Sequence, residues 1–279
     1  MDRLQEIERT IIKTYRKEIW RNFAFAVGRY QLIQAGDKIA ACISGGKDSM
    51  LMAKCLQEMQ RHGPVPFEIV YMVMDPGYNE ENRRQVEENA KILGLPIHIV
   101  ESDIFAAVSD MGDIACYMCA RMRRGCLYRH AQELGCNKIA LGHHFDDVIE
   151  TILMSMLYGG QVRTMMPKLH STNYPGMQLI RPMYLIKEAD VKRWAKHNGL
   201  EFIRCACRFT EYCSPDDTGT GKRQEMKKLI RQFREISPRI EQNIFASVEN
   251  INLETVVSYK DKNGLHSFWD DFDEHGPHE

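Results

Sequence analysis

Short apolar segments alternate with helical segments over most of this chain, and this alternation constrains the fold more than any other feature. Segments typical of buried strands cover residues 38–43, 67–74, 97–100, 138–141 and 178–181. Segments typical of helices cover residues 48–61, 81–93, 121–134, 146–157 and 188–198. Strands that alternate with helices at this spacing form a parallel sheet with helices on both faces. We therefore predict an α/β fold with a Rossmann-like parallel sheet of about five strands.

Further helical segments flank the predicted sheet. Apolar residues recur at helical spacing over residues 4–33, which predicts one long helix or two with a bend. Two more helices are predicted over residues 222–236 and from 240 to about 257. Residues 269–279 contain five acids and no Lys or Arg, as expected for a solvated tail. The predicted division is a helical segment 1–36, a main domain 37–215, C-terminal helices 216–258 and an acidic tail 259–279.

Composition excludes several classes of protein. The chain has 279 residues, of which 44% are hydrophobic and 27% charged, as expected for a globular domain with a full-sized core. No apolar run approaches the roughly 20 residues of a membrane span, and the first residues do not resemble a secretory signal. The nine cysteines are an odd number, which favours reduced thiols over a disulfide framework. We therefore expect a cytoplasmic protein that does not bind membranes.

A glycine-containing segment, SGGKDS at residues 44–49, follows the first predicted strand and begins the next helix. Two adjacent glycines allow a tight turn, the helix N-terminus attracts anions, and Ser44 and Ser49 add hydroxyl donors. The segment differs from the Walker pattern because Asp48 stands where Ser or Thr would bind magnesium. It predicts a phosphate-binding loop, and the alternative is an ordinary strand-to-helix turn.

A second polar segment, GHHFDD at residues 142–147, follows the fourth predicted strand. Two imidazoles and two carboxylates at a strand end can bind a divalent metal, hold magnesium near phosphates or transfer protons. The alternative is that Asp146 and Asp147 only stabilise the start of the next helix.

The cysteines fall into two groups. Cys116 and Cys119 have the CxxC spacing that lets two thiolates reach one metal, although a zinc half-site, a redox pair or chance would give the same spacing. A later group follows a short predicted strand at residues 201–203 and consists of Cys205, Cys207 and Cys213. The remaining cysteines, Cys42, Cys55, Cys126 and Cys136, are interpreted as packing residues.

Basic residues are concentrated on three segments. Arg121, Arg123 and Arg124 follow the CxxC pair. The helix after residue 221 carries Lys222, Arg223, Lys227, Lys228, Arg231 and Arg234, and the N-terminal segment carries Arg9, Lys13, Arg16, Lys17 and Arg21. Such groups are either solvated helix faces or contacts to a phosphate backbone, and a pI near 6.8 does not by itself favour RNA binding.

The SGGKDS segment resembles the PP-loop of the ATP pyrophosphatase superfamily. Together with CYMCARMRRG at residues 116–125 and LGHHFDD at residues 141–147, it makes the chain similar to the tRNA 2-thiocytidine synthetase family from about Gly36 to Cys205. This resemblance implies an adenine nucleotide alpha-hydrolase-like fold. It also implies ATP-dependent tRNA thiolation through an adenylated base, with release of AMP and pyrophosphate.

The resemblance further implies roles for individual residues. Ser44, Gly45, Gly46, Lys47, Asp48 and Ser49 are expected to hold the phosphates of ATP with Mg²⁺, and Met74 and Gly142 to contact the nucleotide. Cys116, Cys119 and Cys205 are expected to bind a [4Fe–4S] cluster, and Asp146, Arg123 and Asp48 to act in catalysis. Relatives tend to have a second CxxC where this chain reads Cys205-Ala206-Cys207, so Cys207 and Cys213 remain alternatives for the third ligand.

The same resemblance favours tRNA as the substrate and a cysteine desulfurase or free sulfide as the sulfur donor, and it leaves a homodimer open.

Three alternative functions remain at this point. The first is thiolation of a small molecule or free base, and the second is an amidase or ligase whose cysteines bind structural zinc. The third is a nucleotide sensor that binds ATP without turnover.

Overall fold

Six strands form the central sheet. The computed structural model describes residues 2–102, 104–108, 115–203, 221–270 and 272, with the backbone alone at residues 106, 108, 115–117, 119 and 120. The strands are β1 (Lys38–Ile43), β2 (Glu68–Asp75), β3 (Ile97–Glu101), β4 (Lys138–Ala140), β5 (Lys168–His170) and β6 (Gln178–Ile180). Their spatial order is β3-β2-β1-β4-β6-β5. All neighbouring pairs in this sheet are parallel except β5 and β6, which are antiparallel.

This topology confirms the predicted α/β class and adds one edge strand, β5, to the five predicted strands. From β1 the chain adds β2 and β3 on one side and then crosses to β4 and β6 on the other. In open parallel sheets, ligands bind beyond the carboxyl ends of the strands where the strand order reverses in this way. The ends of β1 and β4 are therefore the place where a site is expected.

Helices cover both faces of the sheet. They are α1 (Arg3–Arg9), α2 (Arg21–Arg29), α3 (Lys47–His62), α4 (Glu80–Ile92), α5 (Ile104–Val108), α6 (Ala115–Glu133), α7 (Phe145–Gly159), α8 (Glu188–His197), α9 (Lys222–Ile236) and α10 (Ile240–Ser247). Strand β1 shows how the layers form, because its side chains alternate in direction. Ile39, Ala41 and Ile43 pack with α3 and α8 on one face, and Ala40 and Cys42 pack with α6 on the other.

The predicted N-terminal helix is interrupted between α1 and α2. Two π-helical turns, Thr10–Thr14 and Arg16–Trp20, separate them. The Thr10 hydroxyl donates to the carbonyl of Ile7 at 2.6 Å and accepts from the Trp194 indole at 3.1 Å. The amide of Tyr15 donates to the carbonyl of Thr10, one residue further back than in an α-helix. These contacts anchor the N-terminal segment on α8 and give the bend that the sequence left open.

Two predicted elements differ from the structure. Residues 201–203 do not form the predicted strand, because the carbonyl of Glu201 accepts hydrogen bonds from Asn89 and Gln85 of α4 instead of from a neighbouring strand. The second C-terminal helix, predicted to reach about residue 257, ends at Ser247 and is followed by a short 3₁₀ turn, Leu253–Thr255.

The segment assigned to an acidic tail, residues 259–279, overlaps an exposed hairpin. Its strands are β7 (Ser258–Asp261) and β8 (Gly264–Ser267). Asp261 Oδ1 accepts the amides of Asn263 at 2.6 Å and Gly264 at 3.1 Å, which fixes the turn. None of the helices that the structure describes combines the length and apolar character needed to cross a membrane.

Candidate active site

A cavity of about 570 Å³ lies at the carboxyl ends of β1 and β4. Its walls come from the segments that follow these two strands and from α6, α8 and α9. The lining residues are Cys42, Ile43, Ser44, Lys47, Asp48, Ser49, Met74, Arg123, Arg124, Leu127, Leu141, Gly142, His143, His144, Asp147, Glu188, Arg223 and Lys227. The cavity thus brings together the SGGKDS segment, the GHHFDD segment and the arginines that follow the CxxC pair.

The SGGKDS segment forms the turn into α3 and leaves the start of this helix without a side-chain cap. Gly45 has a φ of +79°, and a Cβ on it would lie 2.5 Å from Ile203 Cδ1 and 2.6 Å from Val86 Cγ2, so a side chain has no room there. Gly46 is the N-cap of α3 and provides no side-chain hydrogen bond. Because the first amides of a helix lack intrahelical partners, an uncapped N-terminus leaves them for a bound anion.

Hydroxyl groups fix the shape of this segment. The amide of Ser44 donates to Ser49 Oγ at 3.1 Å, and Ser49 Oγ lies 2.9 Å from the carbonyl of Gly46, to which it donates. The loop after β4 packs directly against this turn, because a Cβ on Gly142 would lie 3.0 Å from the amide nitrogen of Ser49. The glycines at 45 and 142 therefore let two loops and a helix end meet closely.

Lys47 is a charged residue held in place by two carboxylates. Its Nζ lies 3.0 Å from Asp48 Oδ2 and 3.0 Å from Glu188 Oε1. Burial disfavours the charge of Lys47, but the two acids outweigh burial and raise its pKa. Burial likewise opposes ionisation of Glu188, yet Lys47 and Lys192 lower its pKa to about 2. The ion pair therefore stays charged at neutral pH and directs an ammonium group into the cavity.

Asp48 presents an unused oxygen. Its Oδ1 is buried and has no hydrogen-bond partner within the described residues, and the nearest ring nitrogen, His144 Nε2, lies 3.9 Å away. The described residues contain no group of three or more metal-ligating side chains. Mg²⁺ at nucleotide sites is commonly held by one or two carboxylates together with the phosphates, so a single free carboxylate oxygen beside an anion site fits this ion.

Residues of the GHHFDD segment cap the start of α7. His144 is the N-cap of α7 and forms a capping box with Asp147: the His144 amide donates to Asp147 Oδ2 at 2.9 Å, and the Asp147 amide donates to His144 Nδ1 at 3.4 Å. The start of α7 is therefore satisfied internally. The start of α3, by contrast, has no side-chain cap.

The two adjacent acids of this segment have different positions. Asp147 lines the cavity, whereas Asp146 is not among its described lining residues. Asp146 Oδ2 accepts the amide of Glu188 at 2.7 Å, and its Oδ1 accepts from Arg234 at 2.6 Å. Asp146 thus connects α7 to the start of α8 and to α9.

His143 is a neutral imidazole in the cavity wall. Arg181 Nε donates to His143 Nδ1 at 3.3 Å, which requires this nitrogen to be unprotonated. Burial, followed by the positive charge of Arg181, lowers the pKa of His143 to about 4 from its ordinary value of 6.5. The GHHFDD segment indicated His143 as a candidate site residue. Its neutral state could not be predicted in the same way, because it depends on an arginine 38 residues away.

His143 is expected to make stability pH-dependent. Its pKa is lower in the folded than in the unfolded chain, so the unfolded chain takes up the proton first and the free energy of unfolding decreases from about pH 6.5 to pH 4. Urea unfolding of the His143→Asn variant should show a smaller decrease over this interval, and His62→Asn, at an exposed histidine, provides the control. Identical pH profiles for the parent and His143→Asn would contradict this assignment.

Basic side chains flank the cavity on two sides. Arg123 and Arg124 of α6 line one wall, and Arg223 and Lys227 of α9 line another. Arg223 bonds Asp147 Oδ1 at 2.5 Å and Glu150 Oε2 at 2.7 Å. Part of the basic group on α9 therefore neutralises acids of α7, a role that the sequence could not distinguish from a solvated face.

The remaining predicted residues have mixed outcomes. Met74, at the end of β2, is buried and lines the cavity, as do Asp48 and Arg123. Cys116 and Cys119 belong to α6, of which the structure describes only the backbone at these two positions. The later cysteines lie outside the described residues; they are Cys205, Cys207 and Cys213. Of the packing cysteines, Cys42, Cys55 and Cys136 are buried and Cys126 is half-buried. Asp147 and Arg124 belong to segments that the sequence indicated but were given no role of their own, and Glu188 is a cavity residue that no sequence motif indicated.

Comparisons with known proteins agree with this geometry. The sequence model of a family described as the PP-loop domain matches residues 13–207. The tRNA-cytidine(32) 2-sulfurtransferase of Alkalilimnicola ehrlichii is 37% identical over 246 residues, covering 86% of this chain and 75% of that protein. The protein of the same name from Burkholderia vietnamiensis is 38% identical over 241 residues, covering 84% and 68%. A third, from Syntrophotalea carbinolica, is 36% identical over 230 residues, covering 81% and 86%.

A solved structure supports the fold. The U34-tRNA thiolase NcsA from Methanococcus maripaludis, solved with its [4Fe-4S] cluster, aligns with a TM-score of 0.62 at 19% identity, covering 93% of this chain and 88% of that chain. The resemblance stated from the sequence motifs is confirmed by the matched family and by the identity over most of each relative. This chain belongs to the PP-loop family and, within it, to the family of the tRNA-cytidine(32) 2-sulfurtransferases.

Proposed function

We propose that this chain is an ATP-dependent tRNA sulfurtransferase that replaces the C2 oxygen of cytidine 32 with sulfur. The observation that carries the proposal is the uncapped start of α3, where a charged Lys47 lines a cavity at the ends of β1 and β4, beside the buried and unpartnered Oδ1 of Asp48. This arrangement suits a polyphosphate with a bound cation. The family to which the chain belongs is named for the corresponding reaction.

The first step is activation of the base by ATP. The phosphates would lie at the amides of α3, with Lys47 neutralising charge and Asp48 Oδ1 contacting Mg²⁺. The base oxygen attacks the α-phosphorus, a P–O bond forms, and pyrophosphate leaves. Arg123, on the cavity wall, is the residue that we assign to stabilise the charge that develops.

Asp146 helps to position Lys47 for this step. It accepts the amide of Glu188 and so fixes the start of α8, and Glu188 in turn holds Lys47. The catalytic role predicted for Asp146 is therefore proposed to be one of positioning. Asp147, which shares the cavity with Arg223, is the acid that can face the substrate directly.

The second step is replacement of the activated oxygen by sulfur. A sulfur nucleophile at the oxidation level of hydrosulfide forms a C–S bond, and AMP leaves with the former base oxygen, so no electrons are required. When bound, a [4Fe–4S] cluster held by three cysteines would have one iron without a protein ligand, and this iron would hold the hydrosulfide that the sulfur donor provides.

We propose Cys116, Cys119 and Cys205 as the three ligands of this cluster. Two described features support the proposal. The backbone of α6 carries Cys116 and Cys119 one turn apart, directly before Arg123 of the cavity wall. The chain also reaches Cys205 from Ile203, which contacts Gly45 of the SGGKDS segment.

We further propose tRNA rather than a small molecule as the substrate. The relatives that match most of this chain are named as tRNA sulfurtransferases, and arginines and a lysine of α6 and α9 line the cavity. This family membership disfavours the zinc-containing amidase and the non-catalytic sensor. Three further points stay predictions. They are a cytoplasmic location, a homodimer, and a sulfur donor that is a cysteine desulfurase or free sulfide.

Nucleoside analysis in cells tests the proposed function. Deletion of the gene from its host should remove 2-thiocytidine from bulk tRNA, and a plasmid carrying the intact gene should restore it. A plasmid carrying the Lys47→Ala variant should not restore it. Unchanged 2-thiocytidine in the deletion strain would contradict the proposal.

A further inference from the structure

A second cavity, of about 670 Å³, lies between α6 and the turn that joins β5 to β6. We infer that this cavity binds the RNA nucleotide next to the reacting base, with its phosphodiester on Arg121 and Arg124 and its base near Tyr174. The inference rests on the proposed function, because it requires an RNA substrate. It assigns a role to residues 169–174, which no motif of the sequence had singled out.

The floor of this cavity is a rigid aromatic pair. The rings of Tyr128 and Tyr174 stack with centroids 5.1 Å apart and planes inclined by 13°. Tyr174 OH donates to the carbonyl of Gly125 at 2.9 Å, and its amide donates to Ser171 Oγ at 3.2 Å. A half-buried tyrosine held in this way is preorganised for stacking with a base, because it loses little side-chain freedom on binding.

The rim of the cavity is basic and polar. Arg121 and Arg124 line it from α6, and His170, Thr172 and Asn173 line it from the β5–β6 turn. Both arginines are exposed, and none of the described lining residues is acidic. Guanidinium groups beside hydroxyl and amide side chains suit a phosphodiester, and Asn173 and Thr172 offer hydrogen bonds to a sugar or base edge.

The two cavities are neighbours, because Arg124 lines both. A base that enters the first cavity remains joined to its neighbours by the RNA backbone, so the strand must leave along one of the walls. The wall formed by α6 is positively charged along both cavities. Arg123 lines the first cavity, Arg121 lines the second, and Arg124 lines both. A single-stranded segment with splayed bases is the form in which RNA is read by stacking.

The test compares Arg121→Ala and Tyr174→Leu with the parent in the full-length, anaerobically purified protein. Binding of a tRNA transcript with cytidine at position 32 is measured by fluorescence anisotropy over a series of salt concentrations. Each variant should weaken tRNA binding by about tenfold, and Arg121→Ala should reduce the slope of log Kd against log salt by about one. The Kd for ATP should not change.

Two controls make the result specific. Arg84→Ala removes an exposed arginine of α4 that lines neither cavity among the described residues, and it should leave tRNA binding unchanged. Tyr174→Phe keeps the ring but loses the hydrogen bond to Gly125, so it should bind tRNA less tightly than the parent and more tightly than Tyr174→Leu. Because Arg121 is exposed, its variant is expected to fold even if Tyr174→Leu does not.

The outcomes separate the subsite from the proposed function. Parent-like tRNA affinity and salt slope in Arg121→Ala, in a protein whose parent binds and thiolates tRNA, would overturn the subsite and leave the function intact. A parent that does not bind tRNA would overturn both.

Discussion

Replacing Lys47 with Ala should lower the affinity for ATP by about 10- to 150-fold, because a hydrogen bond to a charged group contributes about 1.5–3 kcal/mol and a tenfold change corresponds to about 1.4 kcal/mol. The ammonium group lies 3.0 Å from both Asp48 and Glu188. Its removal takes a cation from the phosphates, leaves Asp48 without its lysine partner and leaves Glu188 with Lys192 alone. Isothermal titration with ATP measures the effect.

A double variant distinguishes electrostatics from general damage to the loop. Lys47→Ala combined with Glu188→Gln also removes the negative charge of one of the two carboxylates that lost Lys47, so it should bind ATP more tightly than Lys47→Ala alone. Glu188→Gln by itself should weaken ATP binding only modestly, since Asp48 still holds Lys47. A double variant that binds no better than the single variant would contradict the electrostatic explanation. Thermal unfolding of each variant checks that the fold is retained.

The cysteine substitutions should have the second large effect, on sulfur transfer rather than on ATP. Cys116→Ser, Cys119→Ser and Cys205→Ser are each expected to lose iron and to reduce tRNA thiolation to background, while ATP binding persists because the anion site is built from other residues. Iron and sulfide analysis of anaerobically reconstituted protein, with thiolation assays, measures both properties.

Matched cysteines in the same chain provide the controls. Cys126→Ser changes a free, half-buried thiol in the same helix as Cys116 and Cys119 and should keep iron and activity. Cys207→Ser and Cys213→Ser should also keep them if Cys205 is the third ligand. Iron loss in Cys207→Ser but not in Cys205→Ser would move the third ligand to Cys207, and zinc in place of iron would reject the cluster.

Much of the fold followed from periodicity because strands and helices differ in length and apolar pattern. The five parallel strands are runs of β-branched and other apolar residues between polar turns, and the structure contains each of them. The edge strand Lys168–His170 was not predicted, since three residues with alternating polarity carry too little signal. The opposite error occurred at residues 201–203, where apolar composition suggested a strand but α4 side chains occupy the carbonyl of Glu201.

The site was only partly predictable for a similar reason. The position of the SGGKDS segment between β1 and α3 could be predicted locally, because a strand-to-helix turn is formed by adjacent residues, and its phosphate-binding role stays a prediction. The different positions of Asp146 and Asp147 could not be predicted from the sequence. Adjacent helical residues point about 100° apart, and the partners of Asp146 are 42 and 88 positions away in the chain. Glu188 carries no motif and gains its role from the contact with Lys47, which the topology creates.

Product analysis with radiolabelled ATP tests the central claim that the start of α3 directs cleavage between the α- and β-phosphates for tRNA thiolation. Reconstituted protein is incubated anaerobically with a sulfide source, a tRNA transcript containing cytidine 32 and ATP, which is labelled at the α-phosphate in one reaction and at the γ-phosphate in a parallel one. The account predicts AMP and pyrophosphate in amounts equal to the 2-thiocytidine formed at position 32, with none when tRNA is omitted. Formation of ADP, or of 2-thiocytidine without ATP, would contradict it.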